Sequence, residues 1–307
     1  MSKIPIHLIL GFGIVLMVSS CASTEGLRPE TLPDGLKSVM VEEIPVVYSD
    51  QGTGDILVIF TTYPFGIRHW EDLSGPLSAT MRVIVIEPPG FRDPLSMKGD
   101  YSSEHLLQIY RTFFRNQKLK KAHIIGVGEG GGLAIAFGHH FPEHILTAVS
   151  INGFEAVPWN EEVRPGIDLT YGVKDKEIRK LLSLGTLRYR NHVLPKKELR
   201  GLLDLRKLPA YTDTARSRKE GLIQDLRAAY IPSMIESVYF PVLLIHSEHD
   251  ELLPKKFIER THQVILGSKI TSLSDAGHFA FIDRPEELAE MILGFIRENP
   301  EPVETEE

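Results

Sequence analysis

The chain has 307 residues, 42% of them hydrophobic and 24% charged, a composition typical of a folded globular protein and not of disordered or multi-span membrane proteins. Its formal charge of -7, without a dense lysine and arginine stripe, argues against nucleic acid as a partner. The single cysteine excludes an internal disulfide framework and a metal site built from several thiolates, and we expect neither a metal nor a cofactor.

The first predicted element is a secretory signal. Lys3 precedes an apolar run over residues 8–18, which is too short for a permanent membrane span of about 20 residues. The run ends in a valine, two serines and Cys21, and this junction resembles the lipobox of bacterial lipoproteins. The resemblance implies a signal peptide over residues 1–20, a lipid such as palmitate on Cys21 and, because Ala22 follows, attachment to the outer membrane. An ordinary secretory signal or an uncleaved anchor is the alternative.

The tether and the folded core follow. Residues 21–38 contain small, polar and proline residues, which predict a tether. Continuous apolar runs over 56–60 and 83–86 are typical of strands that a parallel sheet buries on both faces. Further strand or helix periodicity covers residues 39–48, 70–79, 106–114, 122–125, 146–151, 242–245, 269–273 and 285–296. This alternation predicts an α/β fold with a doubly wound, mostly parallel sheet.

The central region has a different pattern. Residues 154–236 carry amphipathic helical stretches without strand-like runs, and they predict a helical cap inserted between two parts of the core. Those two parts are residues 39–153 and 237–298. Residues 299–307 are acidic and predict a disordered tail.

Three motifs follow predicted strands. The segment from Gly126 to Gly131 lies between a strand and a helix, as the G-x-S-x-G nucleophile elbow does. Asp250 follows a later strand, and His278 precedes the final helix. This order of elbow, acid and histidine resembles the α/β-hydrolase superfamily over residues 39–297. The resemblance implies an α/β-hydrolase fold with its site at Gly128, Asp250 and His278.

The elbow departs from the family pattern. Gly128 stands where the nucleophilic serine is expected, so the triad is broken. A shifted register with Glu129 as nucleophile would place Val127 where close packing needs glycine, and we interpret Glu129 as a polar residue beside a ligand cavity. Thr61 and Thr62 stand where members of the superfamily commonly have His-Gly for the oxyanion hole. Thr61, Thr62 and Glu129 are therefore predicted ligand-binding residues.

A glycine elbow under a helical cap is most similar to the N-myc downstream-regulated family, whose members keep the fold without hydrolase activity. Asp250 and His278 are retained here, unlike in most of that family, and a histidine oriented by an aspartate can act as a base near neutral pH. The sequence predicts a lipid-anchored protein that binds a small apolar or ester-like ligand. The alternative is an enzyme that uses His278 and Asp250 as a dyad for lyase or oxygenase chemistry, or a hydrolase with another nucleophile.

The glycines of the elbow also spell a dinucleotide fingerprint, G-x-G-x-x-G. That fingerprint normally follows the first strand of its domain, whereas several predicted strands precede this one. Glu129 would also place a negative charge beside a pyrophosphate, so we do not favour this reading.

Overall fold

The computed structural model describes residues 32–91, 94–153, 155, 160–191, 209–228, 233 and 235–300. The predicted signal peptide, Cys21, most of the tether and most of the acidic tail lie outside the described residues, as do parts of the predicted cap. Among the described residues, no helix combines the length and apolar character that crossing a bilayer requires.

The described residues contain one sheet of eight strands in the order β1-β2-β4-β3-β5-β6-β7-β8. The strands are β1 (Lys37–Val41), β2 (Ile44–Gln51), β3 (Ile56–Phe60), β4 (Arg82–Ile86), β5 (Ala122–Val127), β6 (Ile145–Ile151), β7 (Val242–Ser247) and β8 (Lys269–Leu273). The pairs β1–β2 and β2–β4 are antiparallel, and the other neighbours run parallel. The predicted mostly parallel sheet is confirmed.

Helices cover both faces of the sheet. They are α1 (Glu71–Ser78), α2 (Ser103–Asn116), α3 (Glu129–His140), α4 (Arg164–Thr170), α5 (Asp175–Gly185), α6 (Leu187–Arg190), α7 (Pro209–Arg227), α8 (Lys255–Val264), α9 (Ala280–Asp283) and α10 (Pro285–Glu298). One apolar core contains Phe113 of α2 and Phe137 of α3. The other contains Leu73 of α1 and Ile292 of α10. Strands β5 and β7 are buried along their whole length because they lie between these two layers.

Helices α4 to α7 lie in the chain between β6 and β7. The apolar faces of α4 and α7 join residues of the core in a third buried cluster, whereas α5 packs into the second core through Ile178, Leu181 and Leu182. Its members are Tyr63, Phe91, Val163, Ile167, Tyr171, Ala215, Leu222, Leu226, Leu253 and Phe257. Because parallel strands end at one common edge of a sheet, the residues that follow β5, β6, β7 and β8 converge there.

Candidate functional site

Glycine forms the turn between β5 and α3. Gly128 lies at its apex with φ 57° and ψ -120°, a conformation in which a residue with a side chain is strained by about 1–3 kcal/mol. A Cβ on Gly126 would lie 2.1 Å from the carbonyl carbon of Gly130, and one on Gly130 would lie 2.3 Å from the carbonyl oxygen of Phe60. These contacts fix the register of the turn. Glu129 is therefore the first residue of α3, and the shifted register with Glu129 at the apex is not the one in the structure.

Asp250 and His278 form a buried hydrogen-bonded pair. Asp250 follows β7, His278 follows β8, and His278 Nδ1 lies 2.8 Å from Asp250 Oδ2. The two side chains are 0% and 3% exposed, respectively. Asp250 Oδ1 accepts from the backbone N–H groups of Leu252 at 2.8 Å and Leu253 at 2.9 Å. Because a carboxylate only accepts, Nδ1 carries the proton, and a neutral His278 then has its basic lone pair on Nε2.

Asn152, which follows β6, holds the loops of this pair together. Its Oδ1 accepts from the Ser247 N–H at 2.8 Å. Its Nδ2 donates to Ser247 Oγ and to the His278 carbonyl oxygen, both at 2.9 Å. Asn152 has φ 48°, a left-handed conformation that asparagine tolerates better than most residues. Asn152 was not predicted as a site residue, although an asparagine directly after a buried strand is a usable signal.

Asp283 connects the histidine loop to the helices that precede β7. Its Oδ2 accepts from the N–H groups of Gly277 and Leu187, both at 2.9 Å. Its Oδ1 accepts from the Arg188 N–H at 2.9 Å and from the Thr186 hydroxyl. Since each oxygen receives two donors, the position requires a carboxylate. The start of α6 and the loop that carries His278 are therefore held by a single side chain.

Glu129 lies in a buried ion pair between the elbow and α7. Arg218 Nη2 donates to Glu129 Oε1, and Tyr171 Oη donates to Glu129 Oε2 at 2.5 Å. Arg218 Nη1 donates to the carbonyl oxygen of Tyr101. Burial lowers the pKa of Arg218, but Glu129, Tyr171 and Asp225 together outweigh this effect, and the pKa lies above its ordinary value. Burial and then Glu129 raise the pKa of Tyr171, so its hydroxyl remains a donor.

Thr61 and Thr62 follow β3 and are both buried. The Thr61 hydroxyl donates to the Ile86 carbonyl oxygen at 2.6 Å, which ties the ends of β3 and β4 together. The Thr62 carbonyl oxygen accepts from the Phe65 N–H at 3.0 Å in the next turn. These bonds are structural, and the ligand contact expected of the two threonines stays a prediction.

Another buried carboxyl, that of Glu155, lies near the elbow. Glu155, in the segment after β6, accepts a hydrogen bond from the Ser150 hydroxyl through Oε1. Its Oε2 accepts none from the described part of the chain, and the residue is fully buried. A Cβ on Gly131 would lie 2.2 Å from Ser150 Oγ, so the pair lies against the first turn of α3. Burial raises the pKa of Glu155 to about 7.

The structure brings Gly128, Asp250 and His278 to the same sheet edge and buries Glu129 directly after Gly128. Cys21 lies outside the described residues. Within the described residues, no group of three or more His, Cys, Asp or Glu side chains could hold a metal ion. Arg218 and Tyr171 were not predicted, because no local pattern relates Arg218 to a carboxylate 89 residues away.

Comparisons with known proteins agree with this architecture. The chain is 24% identical to an uncharacterized protein of Mycobacterium tuberculosis, across 91% of this chain and 86% of that protein. Its structure is similar to a meta-cleavage product hydrolase of Pseudomonas fluorescens, with a TM-score of 0.75, 20% identity and coverage of 86% and 98%. It is also similar to a bacterial membrane phospholipase A, with a TM-score of 0.74, 19% identity and coverage of 87% and 88%. The family model for the alpha/beta hydrolase fold matches residues 55–285, and the chain therefore belongs to this family.

Proposed function

We propose that this chain is a lipid-anchored, non-hydrolytic protein that binds a small apolar or ester-like molecule at the sheet edge where α/β hydrolases carry their nucleophile. Gly128 at the apex of the elbow carries the proposal. Acyl-enzyme chemistry needs a nucleophilic side chain at this point, and glycine has none. The resemblance to the N-myc downstream-regulated family, which keeps the fold without hydrolase activity, agrees with this assignment.

The neighbouring side chains are poor replacements for a serine. Both carboxylate oxygens of Glu129 accept hydrogen bonds, from Arg218 and Tyr171, and this engagement lowers their nucleophilicity. A negative charge directly after the elbow would also oppose the oxyanion that hydrolysis generates. The Thr61 hydroxyl is committed to a backbone carbonyl.

The surroundings suit an apolar ligand. The third buried cluster, between the core and helices α4 and α7, consists of aromatic and aliphatic side chains with a few polar groups beside it. Small-molecule sites typically have this composition. The lipobox-like junction at Cys21 supports anchoring of the mature chain by acyl chains, each methylene of which contributes about 0.8 kcal/mol to membrane binding. We place the protein at the outer membrane because Ala22, and not an aspartate, follows Cys21.

The test is to extract the full-length protein from membranes and identify co-purifying molecules by mass spectrometry. We expect a small apolar or ester-like molecule that survives long incubation with the protein unchanged. We also expect no labelling by a fluorophosphonate, since that reagent needs an activated hydroxyl. Stoichiometric labelling of a serine or threonine of the unsubstituted protein would overturn the proposal.

The pair of His278 and Asp250 supports a second candidate, an enzyme that uses His278 as a general base without an acyl intermediate. The 2.8 Å bond and the two backbone donors on Asp250 fix the orientation of the imidazole, as proton transfer requires. In this case the co-purified molecule should be converted by the protein. The rate should fall at least about 100-fold in His278→Gln.

His105 offers a matched control, because it also lies beside an aspartate, Asp100, but at the surface. His105→Gln should leave conversion unchanged. Conversion that is lost in both His278→Gln and Asp250→Asn but kept in His105→Gln would establish the enzyme. An unchanged ligand with the native protein would exclude it for that molecule.

A further inference from the structure

The ion pair between Glu129 and Arg218 is deeply buried next to the elbow. The two side chains are 8% and 3% exposed, respectively. Glu129 directly follows the residue that would carry a nucleophile, and Arg218 belongs to α7, between β6 and β7. The pair therefore lies at the boundary between the core and the inserted helices.

A guanidinium in this position requires an anion. A charge taken out of water is strongly destabilising unless it is paired and hydrogen-bonded. Asp225, on the same helix, favours the charged form of Arg218. Its Oδ2, however, accepts from the Ser103 N–H at 2.8 Å. Glu129 is the carboxylate in direct contact with the guanidinium.

Glu129 is held in the way that a protein holds a carboxylate ligand. One oxygen meets a guanidinium and the other meets the phenol of Tyr171. Ile167, Leu222 and Tyr171 belong to the apolar cluster beside it. The pattern of one cation, one neutral donor and an apolar surround is suited to a small organic acid.

We infer that Arg218 forms an anion subsite inside the proposed ligand site and that Glu129, as its built-in occupant, makes the site select neutral ligands over carboxylates. The inference rests on the proposed binding function and specifies its ligand class. A ligand carboxylate would meet a guanidinium that is already neutralised and the like charge of Glu129. An ester or another neutral group of the same shape avoids both costs.

Chemical rescue tests the subsite directly. Glu129→Ala removes a methylene and a carboxylate, and acetate supplies these groups. We expect Glu129→Ala to lower the Tm and acetate to raise it again by several degrees at constant ionic strength. Acetamide, which has the same shape without the charge, should not raise the Tm of the variant.

Asp213→Ala is the matched control, because Asp213 pairs with Arg216 on the same helix but at the surface, 3.7 Å apart. It should show no response that is specific to acetate. If Glu129→Ala does not fold in chloride, the variant is refolded from urea in acetate, in acetamide and in chloride. A higher yield of folded protein in acetate than in the other two then replaces the rise in Tm as the test. Equal behaviour in acetate and acetamide would overturn the subsite.

Ligand preference tests the selectivity. The native protein should bind methyl hexanoate at least about tenfold more tightly than hexanoate, measured by calorimetry. Glu129→Ala should gain at least about tenfold in affinity for hexanoate, and a further Arg218→Met change should abolish that gain. Equal binding of acid and ester by the native protein would overturn the selectivity but leave the binding function intact. Acetate rescue without binding of the ester would support the subsite and count against the proposed ligand class.

Discussion

Replacement of Glu155 by glutamine should remove a large pH dependence of stability. The carboxyl has a pKa of about 7 in the folded protein against an ordinary value of 4.5, because burial disfavours its charged form. Between these two values the folded protein binds more protons than the unfolded chain. The free energy of unfolding therefore falls as the pH rises from 4.5 to 7, and it does not recover above pH 7.

The magnitude follows from the same two values. The interval from 4.5 to about 7, at about 1.4 kcal/mol per pH unit, corresponds to about 3–4 kcal/mol. Glutamine keeps the shape and an acceptor for the Ser150 hydroxyl but does not titrate. Any fixed cost of the amide is the same at every pH. The stability of Glu155→Gln relative to the native protein should therefore rise by about 3 kcal/mol from pH 4.5 to pH 8.

Urea denaturation at pH 4.5 and pH 8, followed by circular dichroism, measures this difference directly. Another buried group also titrates in this range, because burial lowers the pKa of His123 to about 4. His123 is present in both proteins, so its effect cancels in the comparison. Parallel stability curves for the two proteins, within about 0.5 kcal/mol, would show that Glu155 does not titrate as a buried carboxyl.

Three other changes give separate tests. Gly128→Ser should lower the free energy of unfolding by about 1–3 kcal/mol through backbone strain, and an unchanged midpoint in urea would contradict the strained elbow. The variant should also become labelled by a fluorophosphonate, because Asp250 and His278 are already paired. Asn152→Ala should cost about 1–3 kcal/mol by urea denaturation, because it leaves buried donors and acceptors of two loops without partners. Cys21→Ser should abolish incorporation of labelled palmitate and retention in the membrane fraction, whereas Ser20→Ala should affect neither. Label that persists on Cys21→Ser would refute lipidation at this position.

Local patterns predicted most of the fold. Strand β3 and residues 83–86 of β4 are continuous apolar runs because layers of helices bury both of their faces, and this requirement is visible in the sequence. The chain order of elbow, acid and histidine predicted a shared sheet edge, since the ends of parallel strands converge. Gly128 could be assigned from its neighbours because Gly126 and Gly130 leave no space for a side chain.

Contacts between distant segments could not be predicted in this way. The pairing of Glu129 with Arg218 depends on where α7 packs, which no periodicity in α7 specifies. The spacing of apolar residues along an amphipathic helix predicts which face of the helix is buried. A buried arginine does not fit that spacing, because arginine is usually exposed. Glu155 is similar, since a lone glutamate after a strand is usually read as exposed. The unpredicted part of the site is therefore its buried polar network.

This network also bears on why Asp250 and His278 are present in a chain with glycine at the apex of the elbow. Asp250 serves the fold without any turnover, because one of its oxygens accepts from two backbone N–H groups and shapes the loop after β7. His278 fills a buried position, and its carbonyl oxygen accepts from Asn152. Loss of Asp250 would leave these donors and the imidazole without their acceptor, at about 1–3 kcal/mol for each buried group. Retention of the pair is thus expected on grounds of stability alone, and only conversion of a ligand that disappears in His278→Gln would assign it to catalysis.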